Sequence, residues 1–200
     1  MEKQTLIIFA KNPRLGHVKT RIAKEVGDAQ ALQIYRSLLS RILEISEHFV
    51  TNNVIYWEGG IPEGDFYIKK SFSNENQVIG DLGYKMEKAF EQELKDSEYV
   101  CIIGSDCIEL TKEIVEEAFA SLSQHDFVIG PAHDGGYYLL GMKHASPYIF
   151  EGIEWSTDQV YKETLQSIKN QSKSVYVLPM LGDVDTYSDY LIMKDKGLIL

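Results

Sequence analysis

Cysteine is scarce: the chain holds two, Cys101 and Cys107, and their spacing is not CxxC. Two thiols build no disulfide framework, which points to reduced thiols and a cytoplasmic protein. Positive charge is also short. Thirty Asp and Glu face twenty Lys and Arg, a formal net charge of −10. Such a surface repels nucleic acid and anionic lipid at long range, so neither is an expected partner. No apolar run is long enough for a membrane span, and the run near the start is too short for a signal peptide. Low-complexity tracts, internal repeats and Pro/Ser/Gly-rich linkers are missing, so residues 1–200 read as one domain. Neither the GxxxxGK[ST] phosphate loop nor the GxGxxG dinucleotide fingerprint occurs.

What is present alternates in period. Leu6 to Ala10 is a continuous apolar run, as expected of a strand covered on both faces. Leu32, Tyr35, Leu38, Leu39, Ile42, Ile45 and Phe49 fall at helical spacing. Further strands are expected at Val54–Trp57, Phe66–Ile68, Tyr99–Ile103, Phe127–Gly130, Tyr137–Met142 and Val175–Leu178. Between them, helices are expected over Leu82–Leu94, after a Thr111 cap, from Ser156–Gln159 to about Lys169, and after Thr186–Asp189. The last two pairs have capping-box spacing. Strands alternating with helices predict an α/β fold with a doubly wound, mostly parallel sheet. Ligands bind such sheets beyond the carboxyl ends of the strands.

Four segments at or near strand ends carry chemistry. KNPRLGHVKTR follows the first strand, and residues 11–24 hold five of the twenty Lys and Arg: Lys11, Arg14, Lys19, Arg21 and Lys24. In an acidic protein this cluster suits phosphate oxygens, with Gly16 allowing close backbone approach. A solvated charged loop is the alternative. GSDC, Gly104–Cys107, ends a buried strand with Ser105 and Asp106, where a carboxylate is poised for a hard cation such as Mg²⁺ or Mn²⁺. GPAHDGGYYLLGM places Asp134, Gly135 and Gly136 in a tight loop before Tyr137 and Tyr138. It is expected to line the acceptor side, with the tyrosines as a wall for a base or sugar; a tight turn with core aromatics is the alternative. GDVDTYSDY offers Asp183 and Asp185, one of which could share a metal with Asp106.

In this order and spacing, FAKNPRLGHVKTRIA, GSDCIEL, GPAHDGGYYLLG and GDVDTYSDY resemble a family of bacterial glycosyltransferase-like proteins. That family is related to the 2-phospholactate guanylyltransferases and, more distantly, to the molybdenum-cofactor guanylyltransferases. The resemblance runs from about Leu6 to Asp195. It implies a GT-A fold of the nucleotide-diphospho-sugar transferase type, a divalent metal and a nucleotide substrate. It implies that Lys19 and Arg21 meet the phosphates, that Asp106 and Asp185 hold the metal, and that Gly135 and Gly136 line the acceptor side. Ile108 stands where related proteins usually have Pro, and the first loop lacks the glycine run of typical sugar nucleotidyltransferases.

The expected activity is nucleotidyl transfer from a nucleoside triphosphate to a small phosphorylated acceptor. Glycosyl transfer from a nucleotide sugar, with Asp134 as base, is the alternative. A non-catalytic nucleotide-binding module is a third reading.

Overall fold

The computed structural model describes residues 3–49, 52–64 and 71–198. Strand β1 (Gln4–Lys11) leads through a short helix α1 (Thr20–Val26) and a long helix α2 (Asp28–Ser46) to β2 (Asn52–Glu58). Then come β3 (Phe72–Asn76), α3 (Leu82–Glu93), β4 (Tyr99–Gly104), α4 (Lys112–Leu122), β5 (Phe127–Pro131) and β6 (Tyr137–Met142). A 3₁₀ turn at Pro147–Ile149 precedes α5 (Val160–Asn170), β7 (Val175–Val177) and α6 (Tyr187–Asp195).

Among the described residues the strands form one seven-stranded sheet, ordered β3-β2-β1-β4-β6-β5-β7. All neighbours are parallel except around β6, which runs antiparallel to both β4 and β5. The central strands are apolar on both faces because both are covered. Leu6, Ile8, Ile55, Cys101 and Ile103 share a core with Tyr35, Leu39 and Ile42 of α2 and Val115 and Phe119 of α4. Alternate positions Ile7, Val54, Val100 and Ile102 pack with Met86, Ala89 and Phe90 of α3 and Ile168 of α5. The two-residue period of a strand thus feeds two helical layers from one sheet.

Caps explain where several helices begin. Asp81 accepts from the Tyr84 N–H, and Thr111 from that of Ile114. Thr186 and Asp189 close a full capping box on α6. The expected box at Ser156–Gln159 does not form. Ser156 has φ 67, Gln159 makes no side-chain cap bond, and α5 starts at Val160. Capping spacing alone cannot supply the extended backbone that an N-cap needs. The basic segment is also not one loop, since from Thr20 onward it belongs to α1. The strand expected at Phe66–Ile68 lies outside the described residues. The edge strand β3 was not anticipated, because its sequence FSNEN carries almost no apolar pattern.

Topology sets the position of the site. From β1 the chain crosses one face through α2 to β2, and from β3 it returns across the other face through α3 to β4. Strands β1 and β4 are therefore neighbours whose connections diverge, and a crevice opens at their carboxyl ends.

Candidate active site

The crevice is a cavity of about 570 Å³. Its floor is the end of β1 (Phe9 to Lys11) beside the end of β4 (Gly104 to Asp106), with Phe9 and Gly104 in register. The Tyr35 hydroxyl, from α2, accepts from the Lys11 N–H at 2.7 Å and donates to the Lys11 carbonyl at 2.9 Å. That clamp fixes where β1 ends and where the basic segment departs.

One wall is the ion-paired end. Lys19 caps α1 with φ 47 and ψ 46, a left-handed conformation uncommon for a residue with a side chain. Buried Val18 and Ile22 on either side pin this backbone. The Lys19 ammonium lies 2.8 Å from Asp106 and 3.1 Å from Asp185, with only 6% of its side chain exposed. Burial lowers its pKa, but the two carboxylates outweigh burial and raise it overall. The lysine is therefore a fixed cation. Arg21 reaches Asp185 at 3.9 Å from a largely exposed position.

The two carboxylate loops are tied to each other. The Val184 N–H donates to the Asp106 carbonyl at 3.2 Å. Glu109, three residues past Asp106, accepts from the Gly182 N–H at 2.9 Å and pairs with Lys196 at 2.8 Å. Asp185 lines the cavity, whereas Asp183 does not. Burial first, then neighbouring Asp106, Asp134 and Asp185, push the Asp183 carboxyl up to about 7.

The opposite wall was not anticipated from sequence. Glu58, at the end of β2, pairs with Lys85 from α3 and with Lys11 at 3.4 Å. The Lys85 hydrogen bond holds its carboxyl below the usual range despite partial burial, and Lys11 adds to the effect. Gln77, Leu82 and Ser156 also line this end. In sequence Glu58 and Lys85 look like ordinary surface charges. Only the β1–β2 register, which sets Lys11 opposite Glu58, brings them to the cavity. For Ser156 the sequence offered only its capping-box spacing to Gln159, which gives no hint of the cavity. Trp155 lies so close to Gly83 that any side chain there would collide with its ring.

Of the expected site residues, Lys11, Lys19, Arg21, Ser105, Asp106 and Asp185 line the cavity. The Ser105 hydroxyl donates to Asp106 at 3.0 Å. Arg14 and Gly16 do not line it. Arg14 is exposed beside Gly60, and Gly16, with φ 77, sits over Asp28 at the start of α2. The Asp134–Tyr137 segment does not line it either. The loop is on the same edge of the sheet, near enough for Asp134 to act on Asp183. Asp134 itself accepts from the Gly136 N–H at 2.9 Å. Gly135, not Gly136, has positive φ, 90°, and a side chain on it would strike the Asp158 backbone. The expected tyrosine wall is core instead: Tyr137 packs in the α3 layer, and buried Tyr138 donates to the Pro179 carbonyl at 2.9 Å. Both cysteines are buried, with thiols pushed up by burial.

A crystal structure of a protein from Desulfovibrio desulfuricans G20, assigned as a nucleotide-diphospho-sugar transferase, superposes with a TM-score of 0.92. It is 29% identical over 98% of this chain and 88% of that one. The inositol-1-phosphate CTP transferase from T. maritima shares the fold at a TM-score of 0.61 and 14% identity, covering 99% and 95% of the two chains. Rv0371C from Mycobacterium tuberculosis H37Rv, complexed with manganese, does so at 0.59 and 11%, covering 96% and 98%. No curated protein sequence matches significantly. The fold is thus that of the nucleotide-diphospho-sugar transferases. A family profile described as "Uncharacterized protein conserved in bacteria (DUF2064)" matches residues 44–157, and the chain belongs to that family.

Proposed function

We propose that this protein is a divalent-metal-dependent transferase that moves a nucleotidyl group from a nucleoside triphosphate to a phosphorylated small-molecule acceptor. The observation that carries the reading is a cavity at the β1–β4 switch point where Lys19 and Arg21 face Asp106 and Asp185. Phosphoryl-centred chemistry needs positioning and charge neutralisation more than covalent participation. The donor set fits Mg²⁺ or Mn²⁺. Two carboxylates lie on the cavity wall, and such ions are commonly held by one or two carboxylates with substrate phosphates completing the shell. Among the described residues no three His, Cys, Asp or Glu side chains form an all-protein cage.

In this scheme Asp106 and Asp185 hold the ion, which neutralises phosphate oxygens when bound. Lys19 and Arg21 stabilise charge on the triphosphate. An acceptor phosphate oxygen attacks the α-phosphorus, the bond to the bridging oxygen breaks, and pyrophosphate leaves. An ionised phosphate nucleophile needs no general base. Ser105 buttresses Asp106, and Lys11 and Lys85 keep the far end of the cavity cationic.

Glycosyl transfer is the second reading, favoured by the transferase assignment of the D. desulfuricans relative. A hydroxyl acceptor would want a base, and Asp134 is the nearest sequence candidate, although it stands outside the cavity lining. A release assay over nucleoside triphosphates and nucleotide sugars separates the two. Metal-dependent pyrophosphate release supports nucleotidyl transfer, and nucleoside diphosphate released from a nucleotide sugar supports glycosyl transfer. Binding with neither product would leave a nucleotide-binding module. For location, no described helix is long and apolar enough to cross a membrane.

A further inference from the structure

We propose that the Lys19 ammonium is the resident counter-ion of the Asp106–Asp185 pair, and that a metal ion and a polyphosphate must enter together to replace it. The inference rests on the metal reading above, and concerns what the ion displaces. The geometry already fills the place between the carboxylates with a cation: 2.8 Å to one oxygen and 3.1 Å to the other. A divalent ion entering alone faces two costs. It meets a like charge at close range. It also strips a lysine, 6% exposed, of both its partners and leaves it a buried unpaired charge.

A polyphosphate removes the second cost, because its oxygens give the displaced ammonium new acceptors within the same cavity. The pinned backbone makes the exchange a local one. Lys19 sits in a left-handed turn between buried Val18 and Ile22, and its carbonyl accepts the first helical bond from the Ala23 N–H at 2.9 Å. Only the side chain need swing from carboxylates to phosphate. By linkage, whatever the nucleotide contributes to metal affinity the metal returns to nucleotide affinity. The site therefore resists loading by free metal in the absence of substrate.

The test turns on opposite signs. Mn²⁺ binding is measured by electron paramagnetic resonance and calorimetry on the full chain, without nucleotide, and then with non-hydrolysable α,β-methylene triphosphates. Lys19→Met should bind Mn²⁺ alone about tenfold more tightly than the parent and the triphosphates about tenfold less tightly, the loss of a contact to a charged group. Lys19→Gln, which keeps polar contacts to the carboxylates, should shift in the same directions and serves if Lys19→Met does not fold. Arg21→Met, which removes a mostly solvated cation, should change Mn²⁺ affinity less than Lys19→Met does. If the parent binds Mn²⁺ with a triphosphate but neither Lys19 variant gains affinity for Mn²⁺ alone, the counter-ion proposal falls and the metal reading stands. If the parent binds no Mn²⁺ with or without triphosphate, the metal reading falls and takes the proposal with it.

Discussion

Two carboxylate-bearing loops look alike in sequence and differ in the fold. Asp106 follows a buried strand and Asp134 precedes one, and each has a glycine nearby. Asp106 lines the cavity and pairs with Lys19. Asp134 turns back to its own loop, accepting from the Gly136 N–H, while Gly135 presses on the Asp158 backbone. The first loop spends its polar groups on a charged neighbour 87 residues away in sequence. The second spends its glycine on close packing, which braces the segment carrying Trp155 and Ser156. A glycine next to an aspartate is therefore equally compatible with an ion-paired cavity wall and with a buttress; what tells them apart is whether an opposite charge arrives from another element.

The sharpest way to break this contrast is Asp106→Ala. Metal-dependent turnover should fall on the order of a hundredfold or more, as when a pre-positioned charge-stabilising group is removed. The fold should persist, since Lys19 keeps Asp185. Circular dichroism with a product-release assay checks both halves, and near-parental turnover would remove Asp106 from the site.

Gly135→Ala should do the reverse, harming stability first. Its new methyl would lie about 2.2 Å from the Asp158 carbonyl oxygen at a φ of +90. Overpacking and left-handed strain together cost about 3 kcal/mol. For a chain of this size that lowers Tm by about 6–12 °C, readable by calorimetry. An unchanged Tm would refute the bracing role.

Glu109 tests whether the two carboxylate loops act as a unit. Glu109→Ala frees the Gly182 N–H and should cost about 1–2 kcal/mol. Amide hydrogen exchange in residues 182–185 should quicken by a corresponding factor. Glu109→Gln, which can still accept from that N–H, should restore most of the protection. Equal exchange in all three proteins would leave the Glu109 contact without consequence.

Gly136→Ala should have the smallest effect. Its φ lies outside the left-handed region, and the nearest atom is the Asp134 carboxylate at 3.2 Å, which can shift slightly. A change in stability within about 0.5 kcal/mol is expected by thermal melting. A loss matching that of Gly135→Ala would mean that the whole turn, and not one glycine, carries the packing.

The sequence by itself determined the layered fold. Continuous apolar runs such as Leu6–Ala10 and Tyr99–Ile103 can be stable only as strands covered on both faces, and the helical stripe from Leu32 to Ile45 can bury its apolar side only against them. The placement of Lys19, Asp106 and Asp185 at one edge was also legible, because strand ends and capped helices put them there by local rules. Tertiary structure alone decided the rest. Glu58 and Lys85 join the cavity only because β2 pairs with β1 in a register that no local propensity specifies. Tyr137 and Tyr138 are core because β6 lies inside the sheet, between β4 and β5, so its alternate residues meet the helical layers on both faces. That Asp185 and not Asp183 pairs with Lys19 depends on a lysine 166 residues earlier in the chain reaching it. Such long-range pairings have no periodic signature, since the free energy that selects them comes from contacts between segments that share no local sequence.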